Sequence, residues 1–153
     1  MNNKVTVIKP EDKRNTILLD GNEYHYFATG QETNGQYCFI EGIIPPGGGD
    51  PPHIHSREEE LNYILEGELT YWLDNEEVIA PKGAYINIPK GVKHGFRNQT
   101  NKEARVLFLT SPAGIEGLLD ELAENEEMAH HPEGPIAGLN EVGKKYGFTV
   151  FEE

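Results

Sequence analysis

The stretch Pro52–Gly67, PHIHSREEELNYILEG, decides the fold. His53 and His55 stand two residues apart, so on a strand their side chains share one face, ~7 Å apart along the chain. Imidazole nitrogen is a good ligand for divalent transition metals. Ser56-Arg57-Glu58-Glu59 allows the chain to turn, and the next strand, Leu61–Leu65, begins behind a run of three glutamates. A carboxylate at the start of that strand, Glu59 or Glu60, then faces the histidines, and the other glutamates of the run, Glu58 among them, are solvated. Gly67 ends the stretch where a tight turn between strands calls for a positive φ.

A second stretch, Gly83–Asn98, GAYINIPKGVKHGFRN, supplies a third imidazole at His94. Pro89-Lys90-Gly91 has proline first and glycine third, the order a type II turn demands, and that turn sets the direction of His94. Asn98 is assigned to bonding backbone in the wall. Between and around these stretches, short strands recur at even spacing: Thr16–Leu19, Tyr24–Ala28, Tyr37–Ile44, His53–His55, Leu61–Leu65, Leu69–Leu73, Glu77–Ile79, Ala84–Ile88, Gly95–Asn98 and Arg105–Thr110. Lys4–Ile8 alternates in the same manner. Such a run of short strands points to a sandwich, barrel or jelly roll. Four prolines and three glycines in Pro45–Pro52 predict an irregular segment, and Thr29–Gly35 reads as a turn. A barrel also brings His94 back to the first histidines.

The pattern changes at Ser111-Pro112, a helix start with proline at its first position. Ile115, Leu118, Leu119 and Leu122 follow at helical spacing, predicting a helix over Pro112–Asn125 with its apolar stripe on the barrel's outer face. Glu126–Gly138 reads as a polar loop, with His130 and His131 exposed on it. Leu139, Val142 and Tyr146 predict a second short helix ended by Gly147, and Phe148–Phe151 a last strand. The whole chain, 1–153, is read as one domain with a barrel core at about 35–110 and a helical extension at about 112–147.

Gly47, His53, His55, Glu60 and Gly67 in the first stretch, and Gly83, Pro89, Gly91, His94 and Asn98 in the second, resemble in type and spacing the two signatures of the cupins. At residue frequencies near 7%, a chance match at ten positions falls below roughly 10⁻¹⁰. The resemblance implies an all-β cupin jelly-roll β-barrel with a short C-terminal helical extension. It selects Glu60 over Glu59, so that His53, His55, Glu60 and His94 hold one divalent metal ion. Iron or manganese is favoured for that ion, with nickel, cobalt and zinc as alternatives. The stretch Pro52–Gly67 and the tail look like the quercetin-dioxygenase-like small cupins, whose chemistry is dioxygenation of flavonols. That likeness implies that Glu60 doubles as the catalytic base and that the chain is a homodimer.

Three neutral imidazoles and one carboxylate leave open positions on a six-coordinate ion, unlike a closed structural zinc site, which more often uses cysteine. Cys38 is the single cysteine and sits in an apolar run, a buried small hydrophobe. Strand parity makes Asn62 and Phe96 candidates to line the pocket. His25, between two tyrosines, reads as a sheet residue. With 13 basic and 26 acidic residues, a net charge of −13, the surface repels nucleic acid and acidic membranes. The single cysteine and the lack of a signal or spanning segment point to the cytoplasm. Three functions remain open for a small-molecule substrate or ligand: an O₂-dependent dioxygenase of a phenolic or enolisable compound, a non-redox isomerase or decarboxylase, and a non-catalytic binding protein.

Overall fold

Residues 3–125 and 131–153 are described by the computed structural model. The strands follow the alternation of inward and outward side chains. In β5 (Glu59–Glu66), Glu60, Asn62 and Ile64 are buried while Glu59, Leu61 and Tyr63 are not; in β10 (Ala104–Ser111), Ala104, Val106, Phe108 and Thr110 point in. A six-stranded antiparallel sheet runs in the order β1 (Thr16–Leu19), β2 (Asn22–Ala28), β3 (Cys38–Ile44), β10, β5, β8 (Tyr85–Ile88). A five-stranded sheet runs β11 (Phe148–Val150), β4 (Gly49–His55), β9 (His94–Arg97), β6 (Glu68–Leu73), β7 (Glu76–Pro81). The two sheets form the jelly-roll barrel. Ile44, Ile64, Leu69, Tyr71 and Val106, drawn from both sheets, have no exposed surface and fill its interior, each aliphatic side chain there stabilising by about 1.5–3 kcal/mol. Cys38 is buried with them, and burial pushes its thiol well up.

Several expectations change. Lys4–Ile8 joins neither sheet and leaves Val5 and Val7 exposed, since alternation specifies a face but supplies no pairing strand. Within Thr29–Gly35 a short helix, α1 (Gly30–Thr33), forms because Thr29 and Glu32 make a reciprocal capping box. The Pro/Gly run does not stay irregular to its end. β4 begins at Gly49 and carries Pro51 and Pro52, which have no N–H to give, through a register shift between Asp50 and His53.

The first long helix, α2 (Ile115–Glu124), starts three residues later than the Ser-Pro signal suggests. Ser111 is still strand, and its hydroxyl donates to the Gln36 carbonyl at 2.7 Å instead of capping a helix. The apolar stripe packs over the end of the barrel that holds the histidines rather than along its outside. α3 (Pro135–Gly143) begins four residues before Leu139, with proline in its first turn, so Pro135–Gly138 is helix and not loop. A 3-10 turn, Lys144–Tyr146, follows, and Gly147 with φ of 67° closes it. Ile115, Leu118 and Val142 make a second small core with Leu122, Tyr146 and Phe148. No helix among the described residues is long and apolar enough to cross a membrane.

Candidate metal centre

Three strands from the two sheets deliver four donor groups to one point. β4 carries His53 and His55, β5 begins with Glu59 and Glu60, and β9 opens on His94. β4 and β9 are paired with His53 opposite His94. The turn at Pro89–Gly91 works as the sequence suggests: Gly91 has φ of 87°, and its N–H donates to the His55 carbonyl at 2.8 Å, tying the second stretch to the ligand strand. Asn98 bonds the carbonyls of Ile44 and Lys102 and so fastens wall to wall. One ligand atom from each of His53, His55, Glu60 and His94 lies within 4.8 Å of the others, and all four residues are buried. Two ligands on opposite sides of an ion are separated by about 4.2 Å, twice a metal–nitrogen bond. The group is therefore compact enough for one ion to reach all four after a small adjustment of the side chains.

The histidines are aimed before any ion arrives. His53 Nδ1–H donates to the Pro51 carbonyl at 2.7 Å, which turns Nε2 inward as a lone pair. Burial, with His94 and His55 beside it, lowers the His53 imidazole to about 3, so it is neutral at pH 7. His94 donates from Nδ1 to the Val92 carbonyl at 3.0 Å and from Nε2 to Glu60 Oε2 at 2.7 Å. Burial disfavours the His94 cation, but the bond to Glu60 outweighs it and raises the imidazole. Burial would likewise raise Glu60, yet the His94 bond and the three imidazoles hold its carboxyl at about 2. A proton thus sits between His94 and Glu60, the place a divalent cation would take over.

Glu58, expected in solvent, is buried at 3% exposure, whereas Glu59 is exposed. Its Oε2 lies 3.5 Å from His55 Nδ1, and both atoms are buried without a hydrogen-bond partner. A small approach makes this the carboxylate–histidine contact that fixes a metal-ligating imidazole. The glutamate run hides that role, because one residue of register decides which carboxylate turns in. Phe148 was equally invisible: β11 pairs with β4, Phe148 opposite His55 and Val150 opposite His53, and its ring lies 4.9 and 5.2 Å from the two imidazoles. Nothing in a three-residue strand foretells that partner.

His53, His55 and Glu60 open onto a cavity of about 100 Å³ between the sheets, while His94 completes the group without reaching the cavity surface. α2 covers the cavity with Ile115, Leu118, Leu119 and Leu122. Asp50, Tyr24 and Thr110 also line it, and no lysine or arginine does among the described residues. Tyr24 O–H donates to Asp50 Oδ1 at 3.2 Å, and Asn22 braces the pair by bonding the Tyr24 oxygen and the Gly49 carbonyl. Burial, then the nearby Glu60, lifts the Asp50 carboxyl to about 6. Asn62 and Phe96 point inward on the same strands as Glu60 and His94 but lie away from this cavity. Asn62 donates to the Tyr71 hydroxyl at 3.1 Å, and Phe96 packs 5.5 Å from the Tyr71 ring. His25 bonds Thr16 on the neighbouring strand and Glu23 on its own. His131 pairs with Glu141, and His130 lies outside the described residues.

Residues 41–110 match the family described as cupin domain. The chain is 31% identical over 81 residues to quercetin 2,3-dioxygenase of Bacillus subtilis, covering 52% of this chain and 24% of that protein. It is 30% identical over 95 residues to protein SchB of Streptomyces halstedii, covering 62% and 69%. A predicted oxalate decarboxylase from Thermotoga maritima superposes with a TM-score of 0.63 at 22% identity, over 71% of this chain and 99% of that one. The chain spans from 24% to 62% of the length of the first curated relatives it matches.

Proposed function

The chain belongs to the cupin superfamily, and from that premise we propose that it is a metal-dependent dioxygenase of a small phenolic or enolisable compound. The observation that carries this reading is the cavity itself: three imidazoles and a carboxylate gather at one end of a space that is otherwise mostly apolar and has no basic side chain in its described wall. A bound divalent ion, iron or manganese in the first place, would supply Lewis acidity toward an ionised hydroxyl and, being redox-active, a route for O₂.

The protein's own groups do the rest. His53 and His94 are held by backbone carbonyls, so their rings need no reorganisation. Glu60 has Oε2 committed to His94, and Oε1 has no hydrogen-bond partner among the described residues. Oε1 is the atom that takes the substrate's hydroxyl proton. A carboxylate this acidic accepts that proton only from a hydroxyl already acidified by a cation. Phe148, Leu118 and Leu119 keep water from the reacting carbon. In the overall change both oxygen atoms enter the substrate as one carbon–carbon bond breaks, and the proton returns to product.

Size narrows the substrate. Sites for drug-sized ligands occupy roughly 300–1,000 Å³, well beyond the cavity of about 100 Å³ here. That favours a single ring or a short diketone over a three-ring flavonol. Phosphorylated sugars and small dicarboxylates, natural to the non-redox alternative, would bring charge to a wall with no cation of its own. The test is protein purified without O₂, analysed for metals, then screened for O₂ uptake with single-ring phenols, hydroxypyranones and diketones. Uptake stoichiometric with substrate loss is expected. Turnover that continues under nitrogen would establish the isomerase or decarboxylase reading instead, and ligand binding with no product would leave a binding protein.

A further inference from the structure

Two cavity-lining residues carry a buried polar atom with no hydrogen-bond partner among the described residues: His55 Nδ1, which faces Glu58, and the hydroxyl of Thr110. Thr110 is 5% exposed. It stands on β10 directly opposite Glu60 on β5, and both side chains point inward. Residues paired in this way have Cβ atoms about 4.5–5.5 Å apart. Its other cross-strand neighbour is Cys38, and neither residue bonds the hydroxyl. A buried hydroxyl that no protein group satisfies is a standing cost to the fold. Beside it, Glu60 Oε2 is committed to His94, and Oε1 carries no hydrogen bond among the described residues. A free acceptor and a free hydroxyl donor thus sit next to each other on the wall that holds the ligand group. That pairing matches a hydroxyl oxygen as it ionises: the acceptor takes the proton and the donor meets the negative oxygen left behind.

We propose that Thr110 donates a hydrogen bond to the ligand oxygen that Glu60 deprotonates, and so selects a substrate whose hydroxyl ionises in the site. The O–H bond breaks, its proton goes to Glu60 Oε1, and its electron pair stays on the oxygen, where the Thr110 O–H reaches it. A methyl ether brings neither a proton nor a negative oxygen and gains nothing from the pair. The assignment rests on the reading above that the cavity is the substrate site and Glu60 the base.

The test uses zinc-loaded protein, so that no redox chemistry occurs, and two probes. One is 4-nitrophenol, whose ionisation is read from its visible absorption; the other is 4-nitroanisole, its methyl ether. Wild-type protein should bind 4-nitrophenol in the ionised form. In Thr110→Val, which keeps the side chain's shape, affinity for that form should fall about tenfold, the value of one hydrogen bond to a charged oxygen. The pH at which the bound phenol ionises should rise by about one unit. Affinity for 4-nitroanisole and zinc content should not change, and Thr110→Ser should restore both phenol readings. Metal-free Thr110→Val should melt no lower than wild type, because the hydroxyl it loses has no partner in the protein. An unchanged phenol ionisation in Thr110→Val, an equal loss for 4-nitroanisole, a lower melting temperature or a failure of Thr110→Ser to rescue overturns the Thr110 assignment and leaves the cavity as the phenol site. Zinc-loaded wild type that binds neither probe overturns the substrate reading and this assignment together. The predicted binding pattern without O₂ uptake in the iron-loaded protein supports the Thr110 assignment and sinks only the oxygen chemistry.

Discussion

The two ends of the cavity differ in how they are built. The histidine end comes from β4, β5 and β9, strands in the body of the two sheets, and two of its imidazoles are bonded to backbone carbonyls. The opposite cover comes from α2 and α3, which lie after the last long strand and pack through a small core of their own, Ile115, Leu118 and Val142. One end is braced by backbone hydrogen bonds and chemically specified; the other is an apolar surface that gives no donor to the four-residue group. On the proposed reading, chemistry belongs to the barrel and substrate shape to the cap.

His94→Ala attacks the first end at its root. It should cut bound metal to below a tenth of an equivalent and abolish O₂ uptake, because it removes a donor and leaves Glu60 buried without its partner. Metal content by elemental analysis checks this. Leu118→Ala attacks the second end. Leu118 is 1% exposed, so its loss should cost about 2–5 kcal/mol and lower the melting temperature by roughly 5–15 °C, with metal stoichiometry unchanged. If Leu118→Ala also expelled the metal, the two ends would be one cooperative unit and the contrast would fail.

Glu58→Gln sharpens the boundary between ligand and support. The carboxylate lies 3.5 Å from His55 Nδ1 and touches no other part of the four-residue group, so metal affinity should weaken about 10–100-fold with little change in the fold, measured by competition with a chelator. The smallest effect concerns acid. In metal-free protein His53 is held at about 3, against an ordinary 6.5. Between those values the unfolded chain takes a proton that the folded chain refuses, so stability falls as pH falls, by up to about 1.4 kcal/mol per pH unit. Asp50, raised from 3.8 to about 6, has the opposite sign in that window, since the folded chain then holds the proton. The two offset near pH 5, and Asp50→Asn should uncover the full His53 slope in melts between pH 6 and 4. Glu60, held at about 2, adds its own loss only below about 4.5, in both proteins.

The same contrast sets what the amino-acid sequence discloses. His53, His55, Glu60 and His94 sit at spacings dictated by strand parity and by two glycine-bearing turns, local constraints that leave a local trace. Gly67, with φ of 77°, would drive a Cβ to 2.9 Å from the Glu103 carbonyl oxygen, so the residue type reports the turn directly. Glu58 was misplaced because three consecutive glutamates carry no register of their own. Phe148 and the cap depend on which distant strand β11 joins, a tertiary choice with no periodicity. Pro51 and Pro52 misled because a register shift in β4 accommodates them. Asn62 follows parity faithfully, yet parity says inward and not how deep, and the residue bonds Tyr71 away from the cavity.

Binding of a single ion is the point on which the rest turns. Metal-free protein titrated with cobalt and examined by X-ray absorption gives its stoichiometry and ligand set together. One ion per chain, surrounded by three imidazoles and at least one oxygen, is the expected result. No saturable binding at micromolar metal, or an ion with fewer than three imidazoles, would contradict it.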